Sequence, residues 1–304
     1  MVRKQLSNTA TIKSSGTDKS FAIVSYFIVT LTALVMLYPV LNVAAVSIST
    51  YKSYSQTPWM FFPYDLDFSS FVFVFNSKLL MNSYLNTIII TTTGTILTLI
   101  FTVLTAYPLS RPNLRGKPLI MTFILFTMIF NGGIIPNFLL ITKLGMYDKL
   151  IAQILPGALS AFNVILMINF FRSLPESLIE AAKVDGVSEP YILIKIVLPL
   201  SSAILATIAL FAAVGYWNSY FSAIMFARKQ ANWPVQLVLR EIVLSANTQA
   251  LNASGNTAEF DIKSLPIESL RYATLIVVML PIMCVYPFLQ KYFAKGVMMG
   301  SVKE

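Results

Sequence analysis

The sequence predicts an all-α, polytopic membrane protein with six transmembrane helices, and three observations carry that prediction. Hydrophobic residues make up 56% of the 304 and charged residues only 12%, with a mean hydropathy of +0.72. Soluble domains carry roughly a quarter charged residues. Six runs are long enough to span a hydrocarbon core, which takes about 20 mostly apolar residues at 1.5 Å each. All 13 Asp and Glu fall outside those runs, as the cost of placing charge in lipid demands. Composition also excludes classes of function. Histidine is absent and the one cysteine, Cys284, lies in an apolar run. That removes the commonest metal ligand, any thiol cluster and the usual general base. No GxxxxGK[ST] phosphate loop occurs, so the chain cannot hydrolyse ATP itself. The reading is a non-enzymatic chain without a metal site. Its net charge of +9 fits membrane topology better than nucleic acid, because the basic residues sit in short segments between apolar runs.

Residues 1–20 form a polar N-tail with Arg3, Lys4, Lys13 and Lys19. The apolar run behind it is too long for a signal-peptide core, which predicts an uncleaved first helix. The six spans are placed at 21–46, 84–107, 119–141, 151–171, 200–227 and 272–293. Together they make one six-helix transmembrane domain over 21–293. Positive charge is retained on the cytoplasmic side during insertion. With the N-terminus inside, inner segments hold 13 of the 22 Lys and Arg: those of the N-tail, Arg111, Arg115, Lys117, Arg172, Lys183, Lys195, Lys291, Lys295 and Lys303. Five of the other nine lie in one long outer loop, where the rule weakens. Both termini, including the C-tail 294–304, are therefore expected in the cytoplasm. The outer loops 47–83 and 228–271 are long enough to fold on the membrane surface, whereas 142–150 reads as a short turn. The loop 228–271 contains Trp233-Pro234 and a stretch at 247–257 rich in Asn, Ala, Ser and Gly. That composition suits either docking on a partner or plain connection. Trp59, Phe61 and Phe62 read as interfacial anchors.

Between spans four and five, the inner segment 173–199 reads as a helix, a tight turn and a second helix. Ser173 and Glu176 have the spacing of a capping box. Ser188, with Pro190 in the turn after it, has the pattern of a second helix start. Asp185-Gly186 between them is a turn signal. Such an elbow suits mechanical coupling to a soluble partner. The plainer reading is that Ala181-Ala182 is merely helix-favouring and Gly186 merely a helix end.

At these gaps, Glu180-Ala181-Ala182, Asp185-Gly186 and Ile196 with Leu198-Pro199 match the EAA loop of ATP-binding-cassette importer permeases, in the spacing of the carbohydrate branch. The chain resembles that family over most of its length, including the six-helix organisation, the long last outer loop and the short tail at 295–300. It is most similar to the maltose-type second permease, and within it to the aldouronate or lipoprotein-associated sugar permease group. Asn131-Gly132-Gly133-Ile134-Ile135-Pro136 fits that group. The resemblance implies a type I importer permease (MetI-like) fold in the bacterial inner membrane. It implies as partners a second homologous permease, two cytoplasmic ATPase subunits and an extracellular or periplasmic sugar-binding protein. ATP and Mg would belong to the ATPases, with no cofactor on this chain. Glu180 would pair with a basic group of the ATPase, and Ala181 and Ala182 would permit close approach. Asp185 and Gly186 would form the turn, Gly186 setting its angle, and Leu198-Pro199 would end the elbow against the membrane.

Polar groups inside spans mark surfaces that face protein or water. Asn131-Gly132-Gly133, followed by Pro136 and Asn137, is expected to break the third helix and expose backbone groups to a cavity or a neighbouring helix. Asn163, with Tyr216-Trp217-Asn218, would add hydrogen bonds and an aromatic face for a sugar ring. Helix packing is the plainer reading of each, as it is of the Thr91–Thr95 run. The alternative function is an ion-coupled secondary transporter acting without an ATPase. Such proteins bury ionisable residues or show repeated halves, and neither is evident here. A passive channel would need a filter motif, and none stands out.

Overall fold

A computed structural model describes residues 16–251 and 269–285. The tails, the stretch 252–268 of the last outer loop and the end of the sixth expected span lie outside the described residues. Most of the 247–257 stretch lies there too. The chain forms two compact units that divide between Phe68 and Ser69.

The first unit is built on α1 (Gly16–Ser47) and the short α2 (Tyr51–Gln56). Most of α1 is apolar all round and exposed, from Phe21 to Leu41, the pattern of a membrane span rather than of a surface helix. Beyond it the chain is tied by side chains. Asn42 donates from Nδ2 to the carbonyls of Pro58 and Met60, both at 3.0 Å. Ser53 donates to Asp65 Oδ2 at 2.7 Å. Met60 is buried, while Trp59 and Phe61 pack against Tyr38 with ring centroids 6.3 and 4.8 Å away.

The second unit opens with α3 (Ser69–Asn76) and α4 (Lys78–Ser110). At 33 residues, α4 is about 50 Å long. The third expected span is two helices, α5 (Lys117–Ile129) and α6 (Ile134–Lys143), bent by 115°. The break falls where the glycines place it. Gly133 has φ +90°, and its amide donates to Asn131 Oδ1 at 3.0 Å, the local bond with which Asn competes against a helix.

The fourth expected span is also bent. The short α7 (Ile151–Ile154) runs into a 3₁₀ turn at Leu155–Gly157, then turns 49° into α8 (Ala161–Ser173). The elbow follows as α9 (Glu176–Val184) and α10 (Glu189–Ile192), then a π turn at Leu193–Val197 and α11 (Leu198–Leu200). After an 82° bend comes α12 (Ser202–Trp217). The fifth span therefore does not run through 200–227. It stops where Asn218 folds its amide back to Val214 O at 3.0 Å, and α13 (Phe221–Phe226) is separate.

The segment 228–271 is not simply a loop either, since α14 (Val235–Leu251) fills 17 residues of it. Val235, Val238, Leu239 and Ile242 are buried on it, an i, i+3, i+4, i+7 stripe. The last helix among the described residues is α15 (Ser269–Val285). Among the described residues two helices, α1 and α4, are long and apolar enough to cross a membrane alone, and the three bent pairs raise that to five. With α15, they occupy the six places where the sequence puts spans.

Within the second unit α4 is the axis, packed against both α8 and α12. One core cluster surrounds its C-terminal end, with Ala106, Tyr107, Met167, Phe171, Ile192 and Ile208 buried. Another closes its N-terminal end with α3, α14 and α15. Between them Gly94 allows α12 to approach. A Cβ there would fall 2.5 Å from the Tyr216 ring.

Candidate functional site

The elbow begins differently from its capping pattern. Ser173 belongs to the end of α8 and donates to Phe170 O at 2.7 Å, so the Ser173–Glu176 box does not form. The cause is Pro175, which pushes Leu174 out of the helical region to φ −70°, ψ 142° and itself takes the N-cap position of α9. The turn is as expected. Gly186 adopts φ +72°, with Val187 N bonded to Ala182 O at 3.1 Å and Gly186 N to Lys183 O at 3.0 Å. These two bonds make a Schellman ending, which satisfies carbonyls the helix leaves open and needs a left-handed residue at this point. Ser188 is the N-cap of α10 with Pro190 in its first turn.

The two faces of α9 differ. Ile179 and Ala182 are buried in the core, whereas Glu180 and Ala181 are exposed. Ala182 is thus small for the benefit of this chain's own packing, and Glu180 and Ala181 remain on the accessible face. Asp185 and Pro199 are exposed and Leu198 is half-buried. Beside α9 lies a cleft of about 710 Å³, lined by Tyr107, Arg111 and Asn113 on one side and Glu176, Glu180 and Lys183 on the other.

A polar group built on Tyr107 and Glu189, neither singled out in the sequence, joins this elbow to α4. Lys183 Nζ and Glu189 Oε1 are 2.7 Å apart, and the Tyr107 hydroxyl donates to Glu189 Oε2 at 2.6 Å. The Arg111 guanidinium lies 4.4 Å over the Tyr107 ring. The Lys183 ammonium first, and the Tyr107 hydroxyl second, hold the Glu189 carboxyl below its usual range against the opposing effect of burial. Opposite charges on either side of Asp185-Gly186 were the signal for half of this group. Tyr107, 82 residues away, carried none.

The residues read as a substrate path divide among three places. Asn131, Gly132, Gly133 and Asn137 are exposed at the α5–α6 break, and Asn163 is buried in the first turn of α8. Tyr216 and Trp217, at the end of α12, are buried and their polar atoms are used internally. The Tyr216 hydroxyl donates to Ile154 O at 2.9 Å, and Trp217 Nε1 to Val278 O at 3.3 Å. Trp217 also meets Tyr84 edge-on at 5.8 Å. These two side chains join helices, and Asn218 beside them is exposed. In the Thr91–Thr95 run, Thr92 and Thr93 donate to the carbonyls of Ile88 and Ile89, in agreement with packing.

A second junction lies around Asp148, which has φ +59°. Its amide donates to Phe226 O at 2.8 Å, and its Oδ1 accepts from Lys229 N at 2.9 Å. Asn232 Nδ2 donates to Asp148 O at 2.7 Å, and Gln153 Nε2 to Asn232 O at 2.9 Å. From α4, Asn86 donates to Ala231 O at 2.6 Å, and Thr87 accepts from Val235 N at 2.8 Å. The chain entering α14 is therefore fastened on both sides.

Comparison with known proteins places this architecture. Residues 99–299 match the family described as binding-protein-dependent transport system inner membrane component. The polygalacturonan/rhamnogalacturonan transport system permease protein YtcP of Bacillus subtilis is 38% identical over 94% of this chain and 99% of that protein. Protein LplC of the same organism is 39% identical over 88% of this chain and 90% of its own length. A chain in the crystal structure of a bacterial ABC transporter involved in the import of the acidic polysaccharide alginate superposes with a TM-score of 0.81 at 37% identity, over 92% of this chain and 99% of that one. The chain belongs to the binding-protein-dependent transport system inner membrane components, the membrane-spanning and non-catalytic permease subunits of ABC importers.

Proposed function

We propose that this chain forms one half of the membrane pore of a carbohydrate importer, with an oligosaccharide as cargo, and that its elbow receives the stroke of a cytoplasmic ATPase. The relatives named for polygalacturonan, rhamnogalacturonan and alginate transport support the substrate class. In this reading both termini and the elbow are cytoplasmic, a sugar-binding protein delivers cargo from the other side, and a homologous second permease completes the pore. Two ATPase subunits hold ATP and Mg, and this chain binds neither. The exposed apolar lengths of α1 and α5 fit contact with lipid and with that second permease.

The observation that carries the coupling role is the elbow itself. Glu180 and Ala181 stand on the open face of a helix whose other face is locked in the core and whose end is set by Gly186. Removing the Glu180 carboxylate in Glu180→Ala leaves the helix intact, since alanine is the best helix former. Gly186→Val puts a β-branched residue at φ +72°, at a cost of about 1–3 kcal/mol. Both variants are expected to reach the membrane at normal levels and to lose sugar uptake, with Gly186→Val losing more ATPase on purification. Full uptake by both would show the elbow to be a passive connector.

A further inference from the structure

We propose that Glu189 is a positioning residue that pins the elbow to α4, so that α10 and the end of α4 move with α9 through a directional polar link that supplements the apolar packing of Ile179 and Ala182. The carboxylate is shared. One oxygen holds Lys183 of α9 at 2.7 Å, which fixes the angle between the two arms of the elbow. The other accepts from Tyr107 of α4 at 2.6 Å. Tyr107 is wedged in place, with its ring edge-on to Phe171 of α8 at 6.2 Å and its other side covered by Arg111. It is buried, whereas the Lys183 and Glu189 side chains are each about half exposed.

The turn itself is held by its two backbone bonds and by Val187 against the core, while the glycine at its apex has open space around it, with no atom within 4 Å of an added Cβ. The route that bypasses the turn runs from Lys183 through Glu189 and Tyr107 to Phe171, and it joins α9, α10, α4 and α8 at a single carboxylate. A charge-assisted bond of this kind is stronger and more directional than a neutral one. Ion pairs this exposed add little to folding stability, which leaves geometry as the role the contact can serve.

The inference rests on the elbow docking on an ATPase, and the experiment separates the two. The full transporter in proteoliposomes, with its second permease, ATPases and binding protein, is assayed for ATP hydrolysed per sugar imported and for ATPase retention. Tyr107→Phe and Glu189→Ala are each expected to raise ATP consumed per sugar about three- to tenfold, with retention unchanged. Tyr107→Phe should add nothing in the Glu189→Ala background. Glu189→Gln, which keeps an acceptor for Tyr107, should recover part of the coupling. A wild-type ratio in both single variants, additive losses, or a loss of retention at unchanged ratio would overturn the pin. If docking itself is wrong, Glu180→Ala and Gly186→Val keep full uptake, and the pin falls with it. If only the pin is wrong, those two stay impaired while the Glu189 variants behave as wild type.

Discussion

An added Cβ at Gly186 would meet no neighbouring atom, so a side chain there is opposed by backbone strain and not by a clash. Side chains that tolerate the left-handed region should therefore be accepted in order of that tolerance. Asn visits it readily, which predicts that Gly186→Asn retains most of the ATPase association and uptake that Gly186→Val loses, measured side by side. Asp148, at φ +59°, is the same kind of position filled by a residue whose side chain the structure also uses. The Lys229 amide, and after it the Asn232 side chain and the Lys229 ammonium, hold its carboxyl below the usual range against the opposing effect of desolvation. A carboxylate with a lowered folded-state pKa stabilises the fold above its unfolded value of about 3.9, and that contribution is lost as pH falls through the lower folded-state value. Hydrogen exchange at the Lys229 amide should thus be insensitive to loosening at neutral pH. Corrected for intrinsic rate, it should lose protection only below the ordinary carboxylate range. Protection that persists there, or that is lost near pH 6, would contradict this assignment.

The joint between α4 and α12 depends on one absent side chain. With the Tyr216 ring 2.5 Å from where a Gly94 Cβ would stand, Gly94→Ala must displace the ring or part the helices. Tyr216 also bonds to Ile154 O and so resists moving. Overpacking of this sort costs about 1–3 kcal/mol. The expected result is a lower thermal midpoint for the purified complex, with much of the loss recovered by adding Tyr216→Leu, which removes the obstructing ring end. Gly94→Ala at the wild-type midpoint would mean that α4 and α12 pack with more slack than this geometry allows.

Six places for spans, two long outer segments and a basic inner face together predict a topology that single cysteines can test. A cysteine at Asn113, between α4 and α5, should be shielded from an impermeant reagent in intact cells, and one at Ser55, just after α1, should react. Both positions are exposed on the protein surface, so only the membrane would distinguish them. Labelling at 113 with protection at 55 would invert the orientation. The same cells should yield, on purification through this chain, one related permease and two copies of an ATPase. A transporting homo-oligomer without ATPase would return the ion-coupled alternative to consideration.

The number of spans was legible because the cost of placing polar groups in lipid acts on composition, which a window of residues already contains. The break at Asn131–Gly133, the left-handed turn at Gly186 and the helix start at Ser188-Pro190 were legible too, since each follows from backbone constraints confined to a few neighbours. Where local rules competed, only the folded chain settled the outcome. Ser173 has the spacing of a cap, yet Pro175 ends α8 at it and the hydroxyl turns back to Phe170. Hydropathy cannot distinguish a span that stops at Trp217 from one that runs on to residue 227, because both are apolar, and it passes over the stripe that buries α14. Along the chain Tyr216 and Trp217 read either as an aromatic face for a sugar or, more plainly, as helix packing. The fold decides how they are placed, with the Tyr216 ring against Gly94 and their polar atoms bonded to Ile154 and Val278. The bond between Tyr107 and Glu189 spans 82 residues, a separation across which no local preference acts, and it exists because the packing of α4 on α8 brings the last turns of α4 beside the elbow.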